Sequence, residues 1–143
     1  MSDQLTTLIE RISRLGDVND RDTPHPLVTL EEFFEGNDDF GSIGGNFYPE
    51  QPAPAEFYAF FRAIREKPNV ADVRVQVTQH DTPEEWPFSD TIWIITSASP
   101  ETVTAWFGQR FAADEIFPSL HTDRRYESIS VPEGMNVIGV WWD

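Results

Sequence analysis

Three histidines, His25, His80 and His121, are the side chains here best suited to proton transfer or metal ligation. No two stand in a His-x-x-x-His or His-Glu-x-x-His pattern, so no helix delivers a pair of ligands to one face. His80 adjoins Asp81 and lies near Glu84 and Glu85, whose charge would favour the imidazolium and could orient the ring for base or ligand work. The bland alternative is a solvated histidine in an acidic loop. Gly41, Ser42, Ile43, Gly44 and Gly45 offer a superficial phosphate nest, yet no Lys-Ser or Lys-Thr follows and Asp38 and Asp39 would repel the anion. Ser42 does not have glycine at both two-residue flanks, as a nucleophile elbow needs, and Asn37, Asp38 and Asp39 lack the alternation and distal Glu of an EF-hand. With no cysteine in the chain, thiol nucleophiles, disulfides and iron–sulfur ligation are excluded. No cofactor, metal or catalytic residue is implied.

The carboxylates carry more information. Twenty-five acids against ten basic residues give a net charge of −15 on 143 residues, while 11 Phe, 5 Trp and 3 Tyr in periodic segments mark a chain that folds. Such a surface repels phosphates at long range, so duplex nucleic acid and anionic membranes are disfavoured partners. Nine of the ten cations are Arg, a bias that coding composition or salt adaptation also produces. Residues 17–40 hold eight carboxylates against Arg21 alone, and no basic residue occurs between Arg74 and Arg110. In that second stretch Trp86 and Phe88 stand among Asp81, Glu84, Glu85 and Asp90. Acids around a ring are what capture of a basic protein requires: the charges steer the encounter and a desolvated aromatic anchors it. The expected contact set is Glu31, Glu32, Glu35, Asp38, Asp39, Asp81, Glu84, Glu85, Trp86 and Asp90. The competing reading of Trp86 is a lid on the core beneath its own loop.

The elements that must position these groups follow from periodicity. Leu5, Leu8, Ile9, Ile12 and Leu15 recur at three and four, predicting an amphipathic helix capped by Ser2 and stopped by Gly16. Thr29 and Glu32 have capping-box spacing, which predicts a short helix over 30–35 with Phe33 or Phe34 inward, ended by Gly36. Residues 37–46 read as an ordered turn region, and a second long helix is expected over 55–67 with Phe57, Phe60, Phe61 and Ile64 inward. Val73, Val75 and Val77 alternate with polar residues, predicting a strand with one wet face, whereas Ile92 to Ile95 is apolar on both faces. Ser99 and Pro100 start a further helix, with Val103, Trp106 and Phe107 inward. A turn of helix at 112–116 and a strand at 128–131 are weaker readings, and 135–142 is a final two-faced strand. The sum is one α+β layered domain over residues 1–143, a mostly antiparallel or mixed sheet of three to five strands packed by about three helices. Neither a leader peptide nor an apolar run of roughly 20 residues is present, so an unprocessed cytoplasmic protein is expected.

In size, acidity, absence of cysteine and absence of a catalytic motif, the chain resembles the small bacterial immunity proteins that neutralise toxins. The stretches 29–45 and 86–99 and the ending Trp141, Trp142, Asp143 are similar to those of a bacterial family of unassigned function. The first resemblance implies a basic toxin as partner, blocked by carboxylates standing in for phosphates. Three readings follow: a non-catalytic domain binding a basic protein, a small enzyme or ligand-binding protein using His80 or His121, and an accessory domain whose charge serves solubility. They separate on whether segments 31–39 and 81–90 meet, and on whether a pocket gathers a histidine with a carboxylate.

Overall fold

The computed structural model describes residues 3–47 and 49–143. Helix α1, Asp3–Ile12, continues as a 3-10 turn over Ser13–Leu15 and stops at Gly16, whose φ of 123° suits glycine. The predicted cap, Ser2, lies outside the described residues. Thr29 and Glu32 close the expected capping box on α2, Leu30–Phe34, through bonds of 3.0 and 2.8 Å, and both phenylalanines turn inward. Helix α3 spans Pro54–Arg65 with proline in its first turn, and α4 spans Pro100–Phe107, its Thr102 amide donating to the Ser99 hydroxyl.

Strands β1 (Leu27–Thr29), β2 (Val70–Gln76), β3 (Thr91–Thr96), β4 (Glu115–Phe117) and β5 (Asn136–Trp141) form one sheet in the order β1-β2-β3-β5-β4, every neighbouring pair antiparallel. This is the expected α+β architecture, with β3 at the centre and buried throughout. The four helices cover the face carrying Val73, Val75, Ile92, Ile94, Ile138 and Val140. Trp142 closes that core against Phe47, Phe57, Phe61 and Phe107, and its indole N–H donates to the Phe111 carbonyl at 3.0 Å. The chain end is thus tied down, as a terminus entering the core requires.

The opposite face is where the sequence reading needs correction. It is not wet along β2: Gln76 is 4% exposed and accepts a 2.8 Å hydrogen bond from the indole of Trp93. A second apolar cluster of Leu27, Trp93, Ile95 and Val137 forms there beneath Phe117, Leu120, Tyr126 and Met135. The covering chain contains no helix at 112–116. Residues 115–117 instead form β4, because the free edge of β5 offers a backbone ladder that outweighs the weak helical preference of a five-residue run. Residues 128–131 form no strand, since the one bridge in this region pairs Tyr126 with His25. Strand β1 went unpredicted, being three residues wedged between Pro26 and a helix cap.

Two contacts hold this second layer. Gly139 pairs with Trp93 across β3 and β5, and a Cβ built there would stand 2.6 Å from the indole and 3.0 Å from Phe117. Arg11, 8% exposed on α1, donates from Nε to Glu32 at 3.0 Å and from a terminal nitrogen to Glu127 at 2.7 Å. The same Glu127 oxygen accepts the Leu27 amide at 3.0 Å. Burial alone would raise the Glu127 pKa, but the bonds from Arg11 and Leu27 together with the guanidinium charge hold it below the ordinary glutamate value.

Gly139→Ala is expected to destabilise the fold by about 1–3 kcal/mol through overpacking, read by denaturant unfolding; unchanged stability would show that Trp93 has room to move. Arg11→Leu leaves two half-buried carboxylates without their cation and is expected to cost about 2 kcal/mol at neutral pH. Because the folded pKa of Glu127 is depressed, the pairing stabilises above the unfolded value of about 4.3 and fades as pH falls through the folded one. The gap between wild type and Arg11→Leu should therefore narrow in acid, and a gap that widens below pH ~4 would contradict the assignment.

Candidate functional site

Backbone pairing brings the two acidic segments together. The Ser89 amide donates to the Ser42 carbonyl at 2.8 Å and the Gly44 amide to the Ser89 carbonyl at 2.9 Å, a parallel bridge between the turn region and the 79–90 loop. Each loop is braced internally. Asn37 donates to the Ser42 hydroxyl at 2.9 Å, Asp39 accepts the Gly41 amide at 3.0 Å, and Gln79 and Phe88 exchange backbone bonds. Trp86 adds a third strut by donating its indole N–H to the Phe33 carbonyl at 2.9 Å.

The result is a groove of about 380 Å³ lined by Leu5, Gly36, Asp38, Asp39, Glu84, Glu85 and Trp86. A second recess of about 290 Å³ shares Asp39, Glu85 and Trp86 with it and adds His80 and Asp81. A third, of about 280 Å³, collects Glu31, Glu32 and Glu35 beside Asp3, Gln4 and Thr7 of α1. No Lys or Arg lines any of the three. Among the described residues, Glu35, Asp38, Asp39, Asp81, Glu84 and Glu85 belong to no ion pair.

The rest of the expected set has other duties. Glu31 takes a two-pronged contact from Arg65 at 2.8 and 2.6 Å, and that hydrogen bonding lowers its pKa. Glu32 is held by Arg11 and by its own capping box. Trp86 is half-buried and packs on the helical core, so its ring is a lid more than a free anchor. Phe40, which sequence reasoning passed over, follows Asp38 and Asp39 in the chain and is 55% exposed. Its signal was adjacency to two acids inside a glycine-rich turn.

Asp90 lies elsewhere. Its carboxylate faces a cavity of about 420 Å³ on the second face of the sheet, held by the hydroxyls of Thr78 and Thr91 at 3.1 and 2.8 Å and the Trp141 indole at 3.3 Å. His25, His121, Glu115, Arg124, Phe117 and Trp141 also line this cavity. His121 packs edge-on to Phe117 with ring centroids 4.4 Å apart. His25 is held below the ordinary imidazole range by burial and by the Arg124 charge, against the opposing pull of Asp90. His80 sits apart from both, its backbone clasped by the Asn19 side chain at 2.6 and 2.9 Å. Among the described residues, no three His, Asp or Glu side chains converge as a metal site. No helix among them is long and apolar enough to cross a membrane.

A protein of Escherichia coli (strain K12) described as "Uncharacterized protein YfbO" is 46% identical over 141 residues, covering 96% of this chain and 99% of the relative. No solved structure matches. The family model described as "Uncharacterized protein YfbO family" matches residues 3–140, and the chain belongs to that family.

Proposed function

We propose that this protein is a non-catalytic binding domain that captures a basic protein segment in the groove between residues 38–40 and 81–86. The observation that carries the reading is the convergence of Asp38 and Asp39 with Glu84 and Glu85, from loops far apart in sequence, with no cation among the lining residues. A net charge of −15 steers a basic partner toward the molecule from a distance. At contact, the exposed ring of Phe40, next to Asp38 and Asp39 in the chain, offers apolar area, and a ring beside carboxylates is what turns an electrostatic encounter into a retained complex. The bridge from Ser42 to Ser89 keeps both loops in place before the partner arrives, so little ordering entropy opposes binding. A toxin whose own channel is lined with Arg and Lys to hold phosphates is a partner of this chemistry, and an immunity role is the finer form of the proposal.

Calorimetric titration with an Arg- and Lys-rich peptide tests this reading. The triple variant Asp38→Asn, Glu84→Gln, Glu85→Gln should weaken binding by roughly tenfold or more, while Glu10→Gln, Glu66→Gln, Glu133→Gln, which removes equal charge from other exposed positions, changes it about twofold or less. Phe40→Ala should cost about 1–2 kcal/mol of affinity with the salt dependence unchanged. Equal losses in the two triple variants would mean that the peptide sees only the overall charge.

A further inference from the structure

The cations of this acidic chain are distributed unevenly. Arg11, Arg65, Arg74 and Arg110 are engaged in ion pairs, and Arg62 and Lys67 lie over the rings of Tyr58 and Trp106. Of the remaining four, Arg21, Arg124 and Arg125 line one recess of about 510 Å³ together with His25, Asp22 and Asp123. None of the three arginines belongs to an ion pair among the described residues. His25 and Arg124 line this recess and the 420 Å³ cavity alike, so the two spaces adjoin at those side chains.

Their linings differ in kind. The recess presents three guanidinium groups beside the carboxylates of Asp22 and Asp123, whereas the cavity, which shares Arg124, presents partly exposed rings of Phe117, His121 and Trp141 and the carboxylates of Asp90 and Glu115. Asp90 is bound only by neutral donors, so its charge has no cation against it among the described residues. At the junction, Nδ1 of His25 is buried without a hydrogen-bond partner, a group that a bound molecule would satisfy. The cavity's volume falls in the range of about 300–1,000 Å³ typical of small-molecule sites.

We infer that this paired space binds a small molecule that joins an acidic group to a flat ring bearing an N–H donor, the acidic group meeting Arg21, Arg124 and Arg125 while the ring enters the cavity toward Asp90 and Glu115. The complementarity is polar at both ends and aromatic between them. Guanidinium forks suit a carboxylate or phosphate, the rings suit a flat body, and the inner carboxylates accept from an amino or ring N–H. The global negative charge does not forbid this, because at physiological ionic strength charges more than about 8 Å away are largely screened, and within the recess the three guanidinium groups outnumber the carboxylates of Asp22 and Asp123. Two sources share the chemistry, a purine nucleoside monophosphate with an N–H-bearing base and tryptophan, whose carboxylate and indole N–H supply the two ends. The site lies apart from the acidic groove and stands independently of the basic-partner reading.

Titration of the intact protein with guanosine monophosphate and, separately, with tryptophan, followed by calorimetry, distinguishes the sources; guanosine and inorganic phosphate serve as half-ligands. At least one complete ligand should bind below about 1 mM and roughly tenfold more tightly than either half-ligand. Arg124→Gln should weaken it by about tenfold, and Glu115→Gln by a smaller factor, with thermal unfolding confirming that both variants fold. Failure of both complete ligands to bind, equal binding of inorganic phosphate, or indifference to Arg124→Gln would each overturn the inference. Binding of the basic peptide is expected to be unaffected by Arg124→Gln, so loss of one site leaves the test of the other intact.

Discussion

Arg11 is the contact on which the arrangement of layers depends. It sits on the buried side of α1, yet its guanidinium reaches Glu32 on α2 and Glu127 in the chain that crosses the other face of the sheet. Glu127 in turn accepts the Leu27 amide, and its own amide donates to the His25 carbonyl. One cation therefore fixes the helical layer, the β1 edge and the irregular layer relative to one another. Removing it would leave Glu32 and Glu127 as uncompensated, partly buried charges, a larger penalty than the loss of an exposed pair. The neighbours of Glu127, Arg124 and Arg125, owe their position in the arginine-lined recess to this anchoring, reinforced by the bond from the His25 amide to the Arg125 carbonyl.

The division of charge follows from the same architecture. Carboxylates that have structural duties, Glu31, Glu32, Asp72 and Glu127, sit opposite arginines, and their charge is cancelled locally. Those of the 37–39 and 81–85 loops are left unpaired and are drawn together by a backbone bridge between Ile43 and Ser89. Like charges held close raise the free energy of the isolated protein, a cost that a cationic partner relieves. The unpaired arginines gather on a different part of the surface, so the molecule presents two regions of opposite local character.

Much of the fold was legible because periodicity and capping chemistry are local. Thr29 with Glu32, Ser99 with Pro100, and the valines of β2 announce their elements without reference to anything distant. The two-sided burial of β3 was legible too, since Ile92 to Ile95 offers no polar face. What escaped were features created by long-range contact. Strand β4 exists because β5 has an edge to fill, and Gln76 is buried because residues 115–127 cross above it. At the candidate site, the sequence left open whether the two acidic loops meet, since nothing local encodes the bridge between Ile43 and Ser89. The removal of Asp90 to the other face was not legible, because the chain turns at Ser89 and Asp90 to enter β3. Nor could the gathering of Arg21 with Arg124 and Arg125 be read from positions a hundred residues apart.

The central claim is that the acidic face acts through one place. Amide chemical shifts of the isotope-labelled protein, followed by two-dimensional NMR during titration with an Arg- and Lys-rich peptide, test it most directly. The largest changes are expected on residues 37–43 and 81–88, saturating together, with little change along β4 or around Arg124. Changes of similar size spread over exposed carboxylates on every side, among them Glu10, Glu66 and Glu133, would contradict it.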